Sequence, residues 1–168
     1  MDKPKITIVV TGGTIDSEWD AAQDTAVVKD ESILPKYFSK LKLDIDLEFN
    51  VVCMKDSRAL TPDDLAKIAE AVESAGDRVL ITHGTYTMPD TARYLQAHLK
   101  AKKAVILTGA MVPLDGYTMS DAPFNLGFSI ATLFTMEPGI KLAMQGRLFT
   151  PQEVAKSMGE ARFFSVEQ

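Results

Sequence analysis

Apolar runs rich in β-branched residues recur along the chain, and most of them end at a glycine or a polar turn. They occupy residues 5–10, 44–54, 77–82, 104–108 and 140–149. Runs of this kind predict buried strands. The second begins with alternating apolar and acidic residues, which predicts a strand whose first half is solvated on one face. We therefore expect five strands.

Segments with apolar residues at helical spacing separate these strands. Thr61-Pro62-Asp63-Asp64 is typical of a helix start, with Thr61 as the N-cap residue, Pro62 at the first helical position and two acids in the first turn. Other helices are expected over residues 31–41, after residue 87, and from 120 towards 137. Thr150-Pro151-Gln152-Glu153 predicts one last short helix.

The alternation of strand and helix predicts one α/β domain over residues 1–168. Such βαβ units have right-handed crossovers and build a parallel sheet covered on both faces. We expect a flavodoxin-like open sheet of about five strands in the order 2-1-3-4-5, with its switch point between the first and third strands. The polar stretch 16–31 is interpreted as a mobile flap containing a short hairpin.

Composition excludes several function classes. The chain has 168 residues, 46% apolar and 24% charged, with a net charge of -5. These values are typical of a folded domain and argue against a nucleic-acid-binding surface. No run approaches membrane-spanning length, and no hydrophobic leader follows Met1, so we expect a cytoplasmic protein. Cys53 is the only cysteine, and neither histidine has metal-ligand spacing, so no metal or cofactor is expected.

Two threonine- and glycine-rich turns follow the first and third strands. They are Thr11-Gly12-Gly13-Thr14 and His83-Gly84-Thr85. In open parallel sheets, ligands bind outside the carboxyl ends of the strands at the switch point, which is where both turns are expected. A threonine nucleophile needs a base and backbone N–H donors that stabilise an oxyanion. Spacing alone supports a catalytic site and a pair of ordinary turns about equally.

Four motifs in order resemble the bacterial-type L-asparaginase/glutaminase family. They are Thr11-Gly12-Gly13-Thr14-Ile15, Asp56-Ser57 before Thr61-Pro62-Asp63-Asp64, His83-Gly84-Thr85-Tyr86-Thr87-Met88, and Leu107-Thr108-Gly109-Ala110-Met111-Val112-Pro113 followed by Ser120-Asp121-Ala122-Pro123-Phe124-Asn125-Leu126. The resemblance implies that Thr14 is the nucleophile that forms an acyl-enzyme. It implies that Thr85 activates the nucleophile or water. Ser57, with Asp56 and the Gly84 backbone, is implied to hold the substrate's α-carboxylate.

The chain departs from the family at several positions. Tyr86 stands where the family has an aspartate that binds the substrate's α-ammonium, and a phenol is neutral near pH 7. An ungapped comparison puts Met136 where the family has its catalytic lysine. The flap has Trp19 as its only aromatic residue and lacks the family's tyrosine. The chain resembles the family's larger N-terminal domain alone, without the smaller C-terminal domain.

Other residues of the chain are candidates to replace the missing groups. Lys156 and Lys55 both follow strands on the crevice side, and Lys156 is our preferred base, with a solvated surface lysine as the alternative. Asp56 or one of two flap acids is a candidate partner for an α-ammonium; the flap acids are Glu18 and Asp20. We interpret His83 as a structural histidine and Asp121 as a helix cap.

The sequence therefore predicts an L-asparaginase that converts asparagine and water to aspartate and ammonia, with glutamine as a further candidate substrate. Thr14, Thr85 and Lys156 are expected to be catalytic, and Asp56, Ser57, Gly84 and Tyr86 to bind substrate. We expect a homo-oligomer that shields the crevice. The alternatives are an inactive module that binds an amino acid or amide, and an amidase or lactonase acting on another small carbonyl compound.

Overall fold

Five parallel strands form the centre of the fold. The structure is a computed structural model, and it describes residues 3–166. Its strands are β1 (Lys5–Gly12), β2 (Ser17–Asp20), β3 (Thr25–Val28), β4 (Asp46–Lys55), β5 (Arg78–Thr82), β6 (Ala104–Thr108), β7 (Gly139–Met144), β8 (Arg147–Phe149), β9 (Val154–Ser157) and β10 (Arg162–Ser165). Its helices are α1 (Leu34–Lys40), α2 (Pro62–Ser74), α3 (Met88–His98) and α4 (Ala122–Leu133).

The main sheet has the order β4-β1-β5-β6-β7-β8, and its first five strands are parallel. This confirms the predicted α/β class and strand order, with β1 between β4 and β5 at the switch point. The predicted fifth strand is a hairpin, since β8 returns antiparallel to β7. Gln145 and Gly146 form its turn with φ of 55° and 76°, which suits a tight two-residue turn.

Side chains of the central strands alternate between two buried clusters. Ile6, Ile8 and Val10 pack with α1 and α4 on one face. Val9, Val79 and Ile81 pack with α2 and α3 on the other. Because successive strand residues point to opposite faces, each strand contributes to both layers. The helices therefore cover both faces, as predicted.

The predicted last helix is wrong. Thr150 and Glu153 do form the reciprocal bonds of a helix start, from Thr150 N to Glu153 Oε1 at 2.7 Å and from Glu153 N to Thr150 Oγ1 at 3.4 Å. The chain leaves this turn at Val154 and forms the antiparallel pair β9 and β10. Val154 of β9 and Phe163 of β10 are buried in the cluster that contains α2 and α3. Tertiary packing therefore overrides the local helix signal.

The segment predicted as a flap contains the antiparallel β2–β3 hairpin. Lys29 fixes it to the loop before α4, because its Nζ lies 2.6 Å from Asp115 Oδ2 and 3.4 Å from Glu18 Oε2. At its base, the buried Asp16 accepts bonds from Ser32 Oγ and Ile33 N. No helix within residues 3–166 is long and apolar enough to cross a membrane.

Candidate active site

The ends of β1, β4 and β5 meet in direct backbone contact. Gly13 N donates to Lys55 O at 2.9 Å. A Cβ on Gly13 would lie 2.4 Å from Gly84 Cα, and a Cβ on Gly84 would lie 2.7 Å from Ser57 Cβ. Gly13 also has a φ of 80°, which favours glycine. The two threonine-bearing turns and the Ser57 turn are thus packed together because their glycines carry no side chain.

A pocket of about 150 Å³ lies over this junction. It is lined by Gly13, Thr14, Asp56, Ser57, Arg58, Gly84, Thr85, Tyr86 and Lys156. All seven residues that the sequence predicted for the site are among them, and Gly13 and Arg58 are additional. Wider and shallower hollows lie elsewhere on the surface, but this pocket combines hydroxyl groups with a lysine amine.

Lys156 and Thr85 are in contact. Lys156 Nζ lies 2.7 Å from Thr85 Oγ1, and Thr85 is only 6% exposed. Burial lowers the pKa of Lys156, and the nearby positive charge of Arg58 lowers it further. A lysine in this setting loses its proton more readily than an exposed one, so its neutral amine can accept a proton from the threonine hydroxyl.

The terminal hairpin brings Lys156 to the pocket. Lys156 is on β9, and Arg93 of α3 donates to Val154 O at 2.6 Å. Gln145 binds the start of the other strand: its Nε2 donates to Ala161 O, just before β10, at 2.9 Å, and its Oε1 accepts from Phe163 N, on β10, at 3.1 Å. These contacts with α3 and with the β7–β8 turn set the position of Lys156 in the pocket. The sequence around Lys156 does not by itself indicate its contact with Thr85.

The structure corrects two expectations about the base. Met136 lies after α4 and before β7, so it is at the amino end of the parallel strands, opposite the pocket. It packs on the α1 and α4 cluster. A residue at position 136 is therefore not a source of a base, and the ungapped comparison is wrong there. Lys55 is engaged elsewhere, with its Nζ 2.8 Å from Asp64 Oδ2. This bond lowers the pKa of Asp64 to about 2.

Arg58 forms a tight unit with two other pocket residues. Its Nε and Nη2 donate to Asp56 Oδ1 and Oδ2 at 3.0 and 2.7 Å. Its guanidinium carbon lies 5.6 Å from the centre of the Tyr86 ring, a cation–π geometry. The hydrogen bonds from Arg58 lower the pKa of Asp56, because the guanidinium favours the charged carboxylate. The sequence does not identify Arg58 as a site residue, because no local pattern indicates this arrangement.

Thr14 and Ser57 present hydroxyls from neighbouring turns. Thr14 is partly exposed and begins a short 3₁₀ turn over Thr14–Asp16. Ser57 is buried, and Thr87 binds it twice, with Thr87 N donating to Ser57 Oγ at 3.4 Å and Thr87 Oγ1 donating to Ser57 O at 3.0 Å. The chain thus holds the Ser57 turn against the turn that carries Thr85.

Several candidate residues lie outside the lining. His83 is fully buried, with Nδ1 2.7 Å from Gly84 O and Nε2 2.9 Å from Thr91 Oγ1. Burial lowers its pKa to about 4, so it is a neutral structural residue near pH 7. Asp121 does not cap α4 with its side chain; it accepts bonds from Met111 N and Val112 N instead. That correction follows from the loop after β6 turning back over the helix start.

The flap acids are also engaged outside the pocket. Glu18 pairs with Lys29, and Asp20 accepts bonds from Ala22 N and from the side chain of Gln23 within its own turn. Neither lines the pocket. Their positions do not support the expectation that one of them receives an α-ammonium group.

Comparison with known proteins gives a consistent result. The family model described as "Asparaginase, N-terminal" matches residues 5–165. An L-asparaginase from Thermococcus kodakarensis is 30% identical, over 96% of this chain and 51% of its own. L-asparaginase 2 from Escherichia coli K12 is also 30% identical, over 92% and 47%. A crystal structure titled probable cytoplasmic L-asparaginase, from Campylobacter jejuni, superposes with a TM-score of 0.83 at 28% identity, covering 97% and 53% of the two chains. The chain spans about half the length of these relatives.

Proposed function

The chain belongs to the asparaginase family, matching its N-terminal domain, and from that premise we propose that its pocket hydrolyses the side-chain amide of L-asparagine to aspartate and ammonia. The observation that carries the proposal is the shared pocket of Thr14 with the contacting pair Thr85 and Lys156. It combines a candidate nucleophile, a hydroxyl relay and a base. Glutamine is the next larger amide of the same class.

The proposed reaction begins at Thr14. Its Oγ attacks the amide carbon, and a proton passes through Thr85 to the neutral amine of Lys156. The C–N bond then breaks, the nitrogen leaves as ammonia with that proton, and an ester forms on Thr14. Water hydrolyses the ester by the reverse proton route, which releases aspartate. The backbone amides around Gly13 and Gly84 are the candidate donors to the oxyanion.

Removing the Thr14 hydroxyl tests this proposal. We expect Thr14→Ala to lower ammonia release from asparagine by at least about 10³-fold, because the nucleophile is lost. Thr14→Ser is expected to retain part of the activity. The side chain is partly exposed, so both variants should keep the parent melting temperature. Thr25→Ala, on the exposed start of β3, is the matched control and should release ammonia at the parent rate. Unchanged release by Thr14→Ala would contradict the mechanism.

We also propose that the protein self-associates. Phe124, on α4, is 60% exposed and stacks with Phe128 at a ring-centre distance of 6.3 Å, and Phe134 just beyond the helix is 37% exposed. Clustered exposed aromatic rings favour an interface between copies. Light scattering should give a mass above that of one chain, and Phe124→Glu should lower it. A monomer in the parent protein would count against this part of the proposal.

A further inference from the structure

We propose that this pocket prefers monoamides of dicarboxylic acids that lack an α-ammonium group, such as succinamate, over asparagine itself. The inference rests on the proposed amide hydrolysis and names the substrate class of the same site. It comes from the pairing of Asp56, Arg58 and Tyr86, which makes the rim of the pocket unsuitable for a second cation.

Asp56 is the one carboxylate that lines the pocket within the described residues, and its negative charge is already paired with Arg58. Both of its oxygens accept from Arg58, at 3.0 and 2.7 Å. Its Oδ1 also accepts from Arg58 N at 2.8 Å. An incoming α-ammonium would have to displace the guanidinium or share the carboxylate with it. Either route brings two positive groups together and loses a charge-assisted bond.

The other groups of the pocket add no negative charge. Besides the paired Asp56 and Arg58, the pocket holds Lys156, which the proposed reaction uses as a neutral amine, and no second carboxylate lines it in the described part of the chain. Carboxylates of neighbouring elements are engaged elsewhere, since Asp64 pairs with Lys55 and Glu18 pairs with Lys29. Among the described residues, no carboxylate is therefore available at the pocket to balance an added positive group on the ligand.

The unit also presents suitable donors to a carboxylate. A guanidinium has five N–H groups, and the side-chain pairing with Asp56 uses two of them. The Ser57 hydroxyl lines the same pocket beside Arg58. The Tyr86 ring lies beside the guanidinium, with its centre 5.6 Å from the guanidinium carbon, and it supplies no carboxylate there. A substrate with one carboxylate and one amide meets a donor at each end.

The preferred reaction is balanced in the same way as asparagine hydrolysis. Succinamate and water give succinate and ammonia: the amide C–N bond breaks, a C–O bond forms, and the amide nitrogen leaves with the proton taken from the Thr14 hydroxyl. No oxidant, reductant or further co-reactant is needed. Only the group at the α-carbon differs from asparagine.

Three amides with related skeletons test the inference. Asparagine carries both α-substituents, succinamate lacks the ammonium, and 3-aminopropanamide lacks the carboxylate. We expect kcat/KM for succinamate to exceed that for asparagine by about tenfold or more, and 3-aminopropanamide to be the poorest, because an unpaired ammonium beside Arg58 is disfavoured. Equal or higher kcat/KM for asparagine would overturn the preference while leaving the hydrolytic mechanism intact.

Variants at Tyr86 test whether the Asp56–Arg58–Tyr86 unit sets the preference for succinamate over asparagine. Tyr86→Asp should raise the asparagine-to-succinamate ratio of kcat/KM by about tenfold, because it supplies a new carboxylate for the ammonium. Tyr86→Phe is the matched control and should leave that ratio near the parent value, since it keeps the ring and adds no charge. A ratio that moves equally in both variants would mean that ring packing, and not charge, sets specificity.

A binding measurement keeps the inference testable without turnover. If none of the amides is hydrolysed, the proposed function fails, and calorimetry with succinate and aspartate on the Thr14→Ala protein still compares the two ligand classes. We expect succinate to bind about tenfold more tightly or better. Aspartate binding as tightly as succinate, or more tightly, would overturn the substrate class independently of the chemistry.

Discussion

The two sides of the pocket are built in different ways. On the nucleophile side, the turns after β1, β4 and β5 are closely packed, with Gly84 against both Gly13 and Ser57 and with Gly13 N donating to Lys55 O. On the base side, Lys156 comes from a two-stranded hairpin outside the main sheet, anchored by side chains of Gln145 and Arg93. Backbone packing leaves little freedom of adjustment, whereas side-chain anchors can be shortened one at a time. We therefore expect substitutions that disturb the backbone packing to cause an abrupt loss of stability and activity. Substitutions that shorten a side-chain anchor should cause a graded loss of activity.

Adding one methyl group to the nucleophile side should have the largest effect. In Gly13→Ala the new Cβ would lie 2.4 Å from Gly84 Cα, at a φ of 80° that alanine disfavours. We expect the free energy of unfolding to fall by about 3 kcal/mol or more, because backbone must move and strain is added. Ammonia release should fall below detection. Chemical denaturation and an ammonia assay measure the two effects.

Gly127→Ala is the matched control for this substitution. Gly127 is exposed within α4, and a Cβ there would meet nothing within 4 Å. Alanine at that position should raise the free energy of unfolding by about 0.5–1 kcal/mol, since it has the higher helix propensity. Equal stability of the two variants would show that the strand ends are less tightly packed than their contacts indicate.

Removing the amine on the base side should reduce activity without unfolding the protein. We expect Lys156→Met to lower kcat by about 10²–10⁴-fold, the range for losing a general base, with a small change in KM. Lys55→Met is the comparison, because Lys55 Nζ binds Asp64 outside the pocket. Lys55→Met should lower the melting temperature and change kcat only slightly. A similar fall in kcat for the two variants would remove Lys156 from the proposed proton route.

The same contrast explains what the sequence could and could not predict. Thr14, Ser57 and Thr85 follow adjacent parallel strands, and the rule that carboxyl ends of parallel strands share one edge places them together. Lys156 was a candidate only by its place after the fifth apolar run, since long-range bonds to Gln145 and Arg93 set its position. The helix expected after Thr150 is absent because long-range packing again decides the structure. Thr150 and Glu153 form the bonds of a helix start, but burial of Phe163 favours a hairpin.

Shortening an anchor of the hairpin should give a graded loss. Gln145→Asn keeps a residue that tolerates the observed φ of 55° and removes one methylene, so its side chain no longer reaches β10. We expect kcat to fall by about three- to tenfold, because Lys156 is less well positioned while the nucleophile side is unchanged. The Lys156→Met background provides the control, in which Gln145→Asn should have little further effect on kcat. Full additivity of the two changes would place the effect of Gln145 outside the hairpin.

The smallest effect concerns how pH acts on Lys156. The lysine works as a neutral amine in the proposed reaction, so kcat/KM should rise with pH as the ammonium loses its proton. Burial, and then the charge of Arg58, lower the pKa of Lys156, so the midpoint of this rise should lie below the ordinary lysine value of about 10.4. Arg58→Gln removes the positive neighbour and should move the midpoint upward. Lys3→Gln removes an equal charge at the opposite end of β1 and should leave the midpoint in place. If the midpoint is unchanged in Arg58→Gln and the rise is absent in Lys156→Met, burial alone sets the pKa of the base.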